Sequence, residues 1–315
     1  MVGAVIGRLL GGLRPSPEPA AEPATVLRSD GHRPAAPIEW LFVAHTPILS
    51  AEAWQSQIHA APGRVAAWAE AAARTMLSPA ALTARGRLLL AGEGVPRDPA
   101  AAFDCFRRAA MAGHVDAVNM VGRCHELGWG VPADPAKAVP WYCKAAKAGD
   151  AWAQFNLANL LFDGQGIAAD WCAARFWYLQ AGRRRHAKAM NMLGRYCEEG
   201  WCHVPRPGAA FHWYRRGAEG GDFRAQFNYA RLLFGRGRRD EALRWLEMSI
   251  DHGIPVFCWN AAVELEASAD PMLRVLGARA RLRAVEVPSA HPATPAVHPR
   301  FDRLPNAPPC GPESG

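Results

Sequence analysis

The chain has 315 residues, half of them hydrophobic, and a formal net charge of +7. Such a composition excludes a wholly disordered chain, and no run approaches the ~20 apolar residues that a membrane-crossing helix requires. The positive charge is almost all arginine, the only lysines being Lys137, Lys144, Lys147 and Lys188. An arginine bias of this kind is common in GC-rich genomes, so the charge by itself does not define a nucleic-acid partner.

Residues 1–37 are rich in Pro and Ala, lack periodicity and are expected to be disordered. Their apolar start has no basic residue ahead of it, is interrupted by Arg8 and runs into Pro15-Ser16-Pro17. A secretory signal is therefore disfavoured. Residues 38–80 carry helical patterns (Trp54 and Ile58; Val65, Trp68 and Met76) and are expected to form an N-terminal cap over the array that follows.

From residue 81 the sequence repeats. Ala81, Ala117, Ala153, Ala189 and Ala225 are spaced 36 apart, and other columns share that register. Gly86, Gly122 and Gly194 form one, with Ala158 and Ala230 in the same place. Gly92, Gly128, Gly164 and Gly200 form a second, and Gly94, Gly130 and Gly166 a third. Asp98, Asp134 and Asp170 recur, as do Trp141-Tyr142, Trp177-Tyr178 and Trp213-Tyr214.

Each column has a physical role. Small and apolar residues at i, i+4 and i+5 make one stripe of a first helix that a neighbour can approach closely. Gly-x-Gly ends that helix, because positive φ costs glycine little. Asp-Pro starts the second helix: Asp caps free N–H groups, and Pro at the first position forfeits no bond. Ala138, Trp141-Tyr142 and Ala145-Ala146 then share one face. The unit is a helix–loop–helix hairpin, and 81–256 holds five.

The stretch from Ala117 to Asp150, AVNMVGRCHELGWGVPADPAKAVPWYCKAAKAGD, resembles the Sel1-like repeat family along its whole length. This family is related to tetratricopeptide repeats but has a longer loop within the hairpin. The usual tyrosine of the family's first helix is shifted or replaced, its column holding His125, Leu161 and Cys197. The resemblance implies an all-α, right-handed α-solenoid with helical caps, of bacterial type. It further implies an adaptor or scaffold that holds a segment of another protein in its groove, with no catalysis and no cofactor.

Two repeats depart from the pattern. The fourth has Trp201-Cys202 where the second glycine belongs and Arg206 where Asp should cap, and the fifth has a loop shortened by about four residues at 234–240. A 72-residue superperiod also shows: Asn119-Met120-Val121-Gly122-Arg123 matches Asn191-Met192-Leu193-Gly194-Arg195, and Gln154-Phe155-Asn156 matches Gln226-Phe227-Asn228. Residues 257–287 carry two further helical patterns, expected to cap the other end. From 288 to 315 a Pro-rich tail is expected to be disordered.

Catalytic and metal motifs are wanting. The Gly-x-Gly pairs follow no strand and resemble no phosphate loop. Cys197, Cys202 and His203 match no common zinc spacing and have no fourth ligand nearby, so no metal site is assigned. There is no Gly-x-Ser-x-Gly, Ser-x-x-Lys or His-Glu-x-x-His, which counts against a peptidoglycan or β-lactam hydrolase. Arg183-Arg184-Arg185 and the arginines of 236–239 offer charge but no interleaved aromatics, so nucleic acid is disfavoured. The eight cysteines (105, 124, 143, 172, 197, 202, 258 and 310) have no even framework. They read as small buried hydrophobes in a reducing compartment, the cytoplasm ahead of the periplasm. Secreted members of the family carry cysteines eight apart, and this chain has no such pair.

One polar column follows the period: Arg87, Arg123, Asn159, Arg195 and Arg231. The resemblance implies that first helices line the concave surface, which would make these side chains a ladder facing an acidic protein segment. The bland alternative is a solvated face in an arginine-rich chain.

Overall fold

The computed structural model describes residues 78–286. The expected disordered segment 1–37, nearly all of the proposed cap at 38–80 and the tail 288–315 lie outside them. The described residues form twelve α-helices and no strand. Five hairpins come first: α1 (Pro79–Ala91) with α2 (Pro99–Met111), α3 (Val115–Leu127) with α4 (Pro135–Lys147), α5 (Ala151–Asp163) with α6 (Trp171–Arg183), α7 (Ala187–Glu199) with α8 (Pro207–Glu219), and α9 (Phe223–Phe234) with α10 (Arg239–His252). A sixth pair, α11 (Pro255–Glu266) and α12 (Pro271–Glu286), follows. From α1 to α10 each helix packs on its neighbours in the chain, α12 packs on both α11 and α10, and first helices also meet one another, α1 with α3 and α7 with α9. The result is an all-α solenoid.

Loop chemistry repeats with the period. Gly92, Gly128, Gly164 and Gly200 end the first helices in left-handed conformation, φ 70–77°. Asp98, Asp134 and Asp170 then accept backbone N–H bonds at the start of α2, α4 and α6. Every loop between is closed by the same backbone bond: Asp98 N to Leu89 O, Asp134 N to His125 O, Asp170 N to Leu161 O and Arg206 N to Cys197 O, at 2.6–2.8 Å. Arg206 and Arg238, where Asp is missing, contribute no side-chain cap. The third glycine column has a steric cause. A Cβ on Gly130 would stand 2.1 Å from the Pro99 carbonyl oxygen, and one on Gly166 2.3 Å from the Ala136 nitrogen. The second and third loops therefore rest on the first turn of the second helix of the preceding repeat.

Within three of the hairpins an aromatic ring lies on a glycine. A Cβ on Gly86 would come 2.6 Å from the Phe106 ring, on Gly122 2.7 Å from Tyr142, and on Gly194 2.4 Å from Tyr214. These rings occupy one column (Phe106, Tyr142, Tyr178, Tyr214, then Leu246), and all five side chains are buried. The tyrosines are the deepest members of the Trp-Tyr stripe. Trp177 is buried as well, whereas Trp141 and Trp213 are half-buried. The stripe thus grades from a sealed tyrosine to a tryptophan at the margin.

Helices α11 and α12 extend the stack through Cys258, Ala262, Leu265, Leu276 and Ala280. Truncating Trp177 to Ala should open a cavity and cost ~3–5 kcal/mol in urea melts, with a visibly smaller loss for Trp141→Ala. Equal losses, or less than ~1 kcal/mol at Trp177, would show that burial does not grade along the stripe as described.

Candidate functional site

The five column residues stand on the first helices α1, α3, α5, α7 and α9, and they divide into three environments. Arg87 forms a two-pronged contact with Asp116 of α3, at 2.7 and 2.8 Å. Arg231 does the same with Glu198 of α7, at 2.6 and 2.7 Å. Asn159 accepts the Tyr178 hydroxyl at 2.7 Å. Arg123 and Arg195 have neither kind of partner: their guanidinium groups lie over indole rings, Arg123 on Trp129 at 4.6 Å and Arg195 on Trp201 at 5.0 Å. Arg123 adds one long contact to Met120 Sδ at 3.9 Å. Among the described residues neither joins an ion pair. Both remain half-buried.

The 72-residue superperiod has a structural counterpart. Tyr142 and Tyr214 donate their hydroxyls to Glu126 and Glu198, at 2.5 and 2.8 Å. Between them Tyr178 turns to Asn159 instead. Asn156 donates to Asn119, and Asn228 to Asn191, joining first helices of successive repeats at 3.1 and 3.0 Å. Gln154 and Gln226 donate to the carbonyls of Ala146 and Ala218. Alternate repeats therefore share side-chain bonds as well as residue types. Arg123 with Trp129 and Arg195 with Trp201 are one more instance of this doubling.

A shallow groove of about 230 Å³ is lined by residues of α7, α9 and α11 and by Tyr214 of α8. Its charge is balanced, Arg195, Arg224 and Arg231 against Glu198, Glu199 and Glu264, and Asn191, Asn228 and Asn260 supply its amides. Two of the five predicted residues thus line it. Arg87 and Asn159 are engaged elsewhere, and Arg123 stands two repeats toward the N-terminus. The zinc candidates are apart in character: Cys197 is buried, and His203 Nδ1 meets the Val204 carbonyl at 2.7 Å.

Sequence reading missed a second polar column, the residues that precede the first helices: Ser78, His114, Asp150, His186 and Asp222. Their spacing is 36, but the residue types differ, which hides the column. Asp150 and Asp222 cap with a carboxylate, and burial raises both carboxyls, Asp150 to about 6. His186 caps through Nδ1, which accepts from Ala189 N at 3.3 Å. Its ring is stacked on Phe155 and set edge-on to Trp152. Burial pushes it down to about 3, with Lys188 adding to the shift.

Protonating His186 would remove the cap acceptor and place charge among aromatics. Its neutral form stabilises the fold, fully so above the unfolded value near 6.5, and that contribution falls as pH drops from 6.5 toward 3. Asp150 acts oppositely, its contribution being lost as pH rises through about 6. Between pH 7 and pH 5, His186 should account for a loss of about 2 kcal/mol. In His186→Asn, which keeps a capping acceptor, that part of the pH slope in urea melts should vanish. An unchanged slope would exclude His186 as its source.

Five stacked hairpins, with no strand among the described residues, define a helical-repeat solenoid. The Sel1 repeat family pattern matches residues 79–114, 115–150, 153–186, 187–222 and 224–254, more than half of the chain, and the chain belongs to that family. A solved Sel1 repeat protein from Oxalobacter formigenes is 24% identical with a TM-score of 0.60, over 72% of this chain and 97% of its own. The c5321 protein, described as a protective antigen present in uropathogenic Escherichia coli strains displaying an SLR fold, is also 24% identical, TM-score 0.55. It is matched over 74% of this chain, which spans only about half (53%) of its length. At this identity both show the fold alone. No curated protein is significantly similar in sequence. Sel1 repeat proteins are in general protein-interaction scaffolds, and no helix among the described residues is long and apolar enough to cross a membrane.

Proposed function

We propose that this chain is a non-catalytic adaptor that holds an extended acidic segment of a partner protein along its first-helix face. The observation that carries the reading is the division of the arginine column. Arg87 and Arg231 already have carboxylates, whereas Arg123 and Arg195 are held over Trp129 and Trp201 and are paired with none. An indole under a guanidinium orients it and leaves its N–H edge open to a carboxylate, the geometry that favours bidentate capture. The paired Arg231 and the amide of Asn159 fit the same reading as flanking, non-receiving positions.

Spacing makes the proposal more specific. Helices α3 and α7 are two repeats apart, ~20 Å at the usual interhelix distance. An extended chain covers that distance in about six residues. The partner segment would carry acidic residues at roughly that interval. The terminal hairpin α11–α12 acts as the C-terminal cap in this reading. Five buried thiols among the seven described cysteines fit a reducing compartment such as the cytoplasm.

The test is the double reversal Arg123→Glu with Arg195→Glu. Both side chains are half-buried against indole faces and free of ion pairs, so helicity and melting temperature should hold while partner recovery from cells of the source organism falls at least tenfold, about 1.4 kcal/mol. Unchanged recovery of the same partner, with the fold intact, would remove this face as the binding surface. A hydrolase reading would instead require turnover on a peptidoglycan or β-lactam panel. A nucleic-acid reading would require salt-sensitive DNA or RNA retention.

A further inference from the structure

Cys202 and Cys172 are departures from the repeat pattern that fall on the same inter-repeat contact. At the contact between the first two repeats the facing positions are Gly130 and Ala100; at the next they are Gly166 and Ala136. Each pair is 30 residues apart, and so are Cys202 and Cys172. Both members change to cysteine together, at one interface only.

The fourth loop keeps the closing bond and the left-handed position of its predecessors, while its tip has a turn bond of its own, His203 N to Gly200 O at 3.3 Å. Cys202 has φ 63°, against 74° at Gly130 and 68° at Gly166. Its loop is closed by the same bond, Arg206 N to Cys197 O at 2.7 Å. It also lies on the same first turn: Trp201 packs on Trp171 with centroids 5.9 Å apart, and Tyr196 donates its hydroxyl to the Trp171 carbonyl at 2.9 Å. That hydroxyl is pushed up by burial first, then by Tyr178, Cys202 and Cys172, so both thiols stand near it. Two Trp-Cys dipeptides face each other.

The expected separation follows from the earlier loops. A Cβ on Gly130 or Gly166 would lie 2.9 or 2.7 Å from the Cα of Ala100 or Ala136. Adding a Cα–Cβ bond of ~1.5 Å puts facing Cα atoms within about 4.5 Å. A real Cβ on Cys202 must lift its loop outward from that distance, into the ~4.4–6.8 Å range that a disulfide spans. A left-handed conformation is unfavourable for cysteine, so the change at Cys202 calls for a compensating contact.

We propose that Cys172 and Cys202 form a reversible disulfide that staples the second helix of the third repeat to the loop of the fourth. Cys172 is exposed and open to a soluble oxidant, while Cys202 is half-buried behind it. Cys172 gives its proton to water, its thiolate attacks one sulfur of a low-molecular-weight disulfide such as oxidised glutathione, and one glutathione thiolate leaves and takes up a proton. Cys202 gives its proton to water, and its thiolate attacks the Cys172 sulfur of the mixed disulfide, releasing the second glutathione. Two protein thiols are oxidised and one glutathione disulfide is reduced to two thiols. The other described cysteines (105, 124, 143, 197 and 258) are buried, and burial raises their thiols, Cys124 to about 12 and Cys143 to about 11. They stay out of the exchange. Closing the bond also pins Trp201, the platform under Arg195.

The experiment treats the full chain with oxidised glutathione, alkylates the remaining thiols and maps disulfides by mass spectrometry, with thermal melts of both redox forms. A linked peptide joining Cys172 to Cys202, and a melting temperature at least ~4 °C above the reduced form, are expected. Cys172→Ser should melt alike before and after oxidation. Cys202→Gly restores the residue of the other loops and should leave Cys172 as a stable glutathione adduct. Such an adduct in the wild type, full alkylation of both thiols, or a bridge from either cysteine to Cys310 would overturn the proposal.

Discussion

In three of the five hairpins of this solenoid a tyrosine or phenylalanine ring of the second helix is packed against a glycine of the first, a residue without a side chain, and that contact holds the hairpin together. Glycine inside a helix costs roughly 0.8–1 kcal/mol relative to alanine, so its presence at 86, 122 and 194 needs a return. The return is proximity. With no Cβ on the first helix, the ring from the second helix is buried against its backbone, and Phe106, Tyr142 and Tyr214 are all sealed from solvent. This contact sets the distance within a hairpin, which in turn sets where the Gly-x-Gly loop rests on the preceding repeat. From that register follow the positions of the polar columns on the first helices.

The tyrosine hydroxyl adds a second layer of information. Buried in the hairpin, it must find an acceptor, and the acceptor alternates: Glu126, then Asn159, then Glu198. Glu198 passes its charge on to Arg231. Wherever tyrosine takes a glutamate, an arginine on the same first helix is left over a tryptophan, as Arg123 and Arg195 are. The superperiod therefore shapes the first-helix face as well as the core, and it places two arginines over tryptophans, separated by one intervening repeat.

Backbone chemistry was the legible part. Helix-ending glycines, capping aspartates and the alanine stripe each demand a particular residue type at a fixed position, so the hairpins could be located from residues alone, and so could the missing cap at Arg206 and the shortened loop of the fifth repeat. The arginine column was equally visible, but its fate was not. Asp116 and Glu198, which neutralise Arg87 and Arg231, lie 29 and 33 residues away in neighbouring repeats, and only stacking brings them together. The capping column of Ser78, His114, Asp150, His186 and Asp222 escaped notice because three residue types share one structural position. Cysteine was read too uniformly as core: five of the seven described fit that, but Cys172 is exposed and Cys202 half-buried.

The dependence of the hairpin on a ring over bare backbone has a test of sign. Alanine in place of glycine within a helix ordinarily stabilises, by up to ~1 kcal/mol. At Gly194 the added Cβ would meet the Tyr214 ring at 2.4 Å, whereas at Gly208 of α8 nothing lies within 4 Å. Urea unfolding of Gly194→Ala and Gly208→Ala measures both effects in one protein. The account predicts a net loss of ~1–3 kcal/mol for Gly194→Ala, from overpacking, and a neutral or slightly stabilising change for Gly208→Ala. A stabilised Gly194→Ala would contradict it, showing that helix propensity outweighs the seating of the ring.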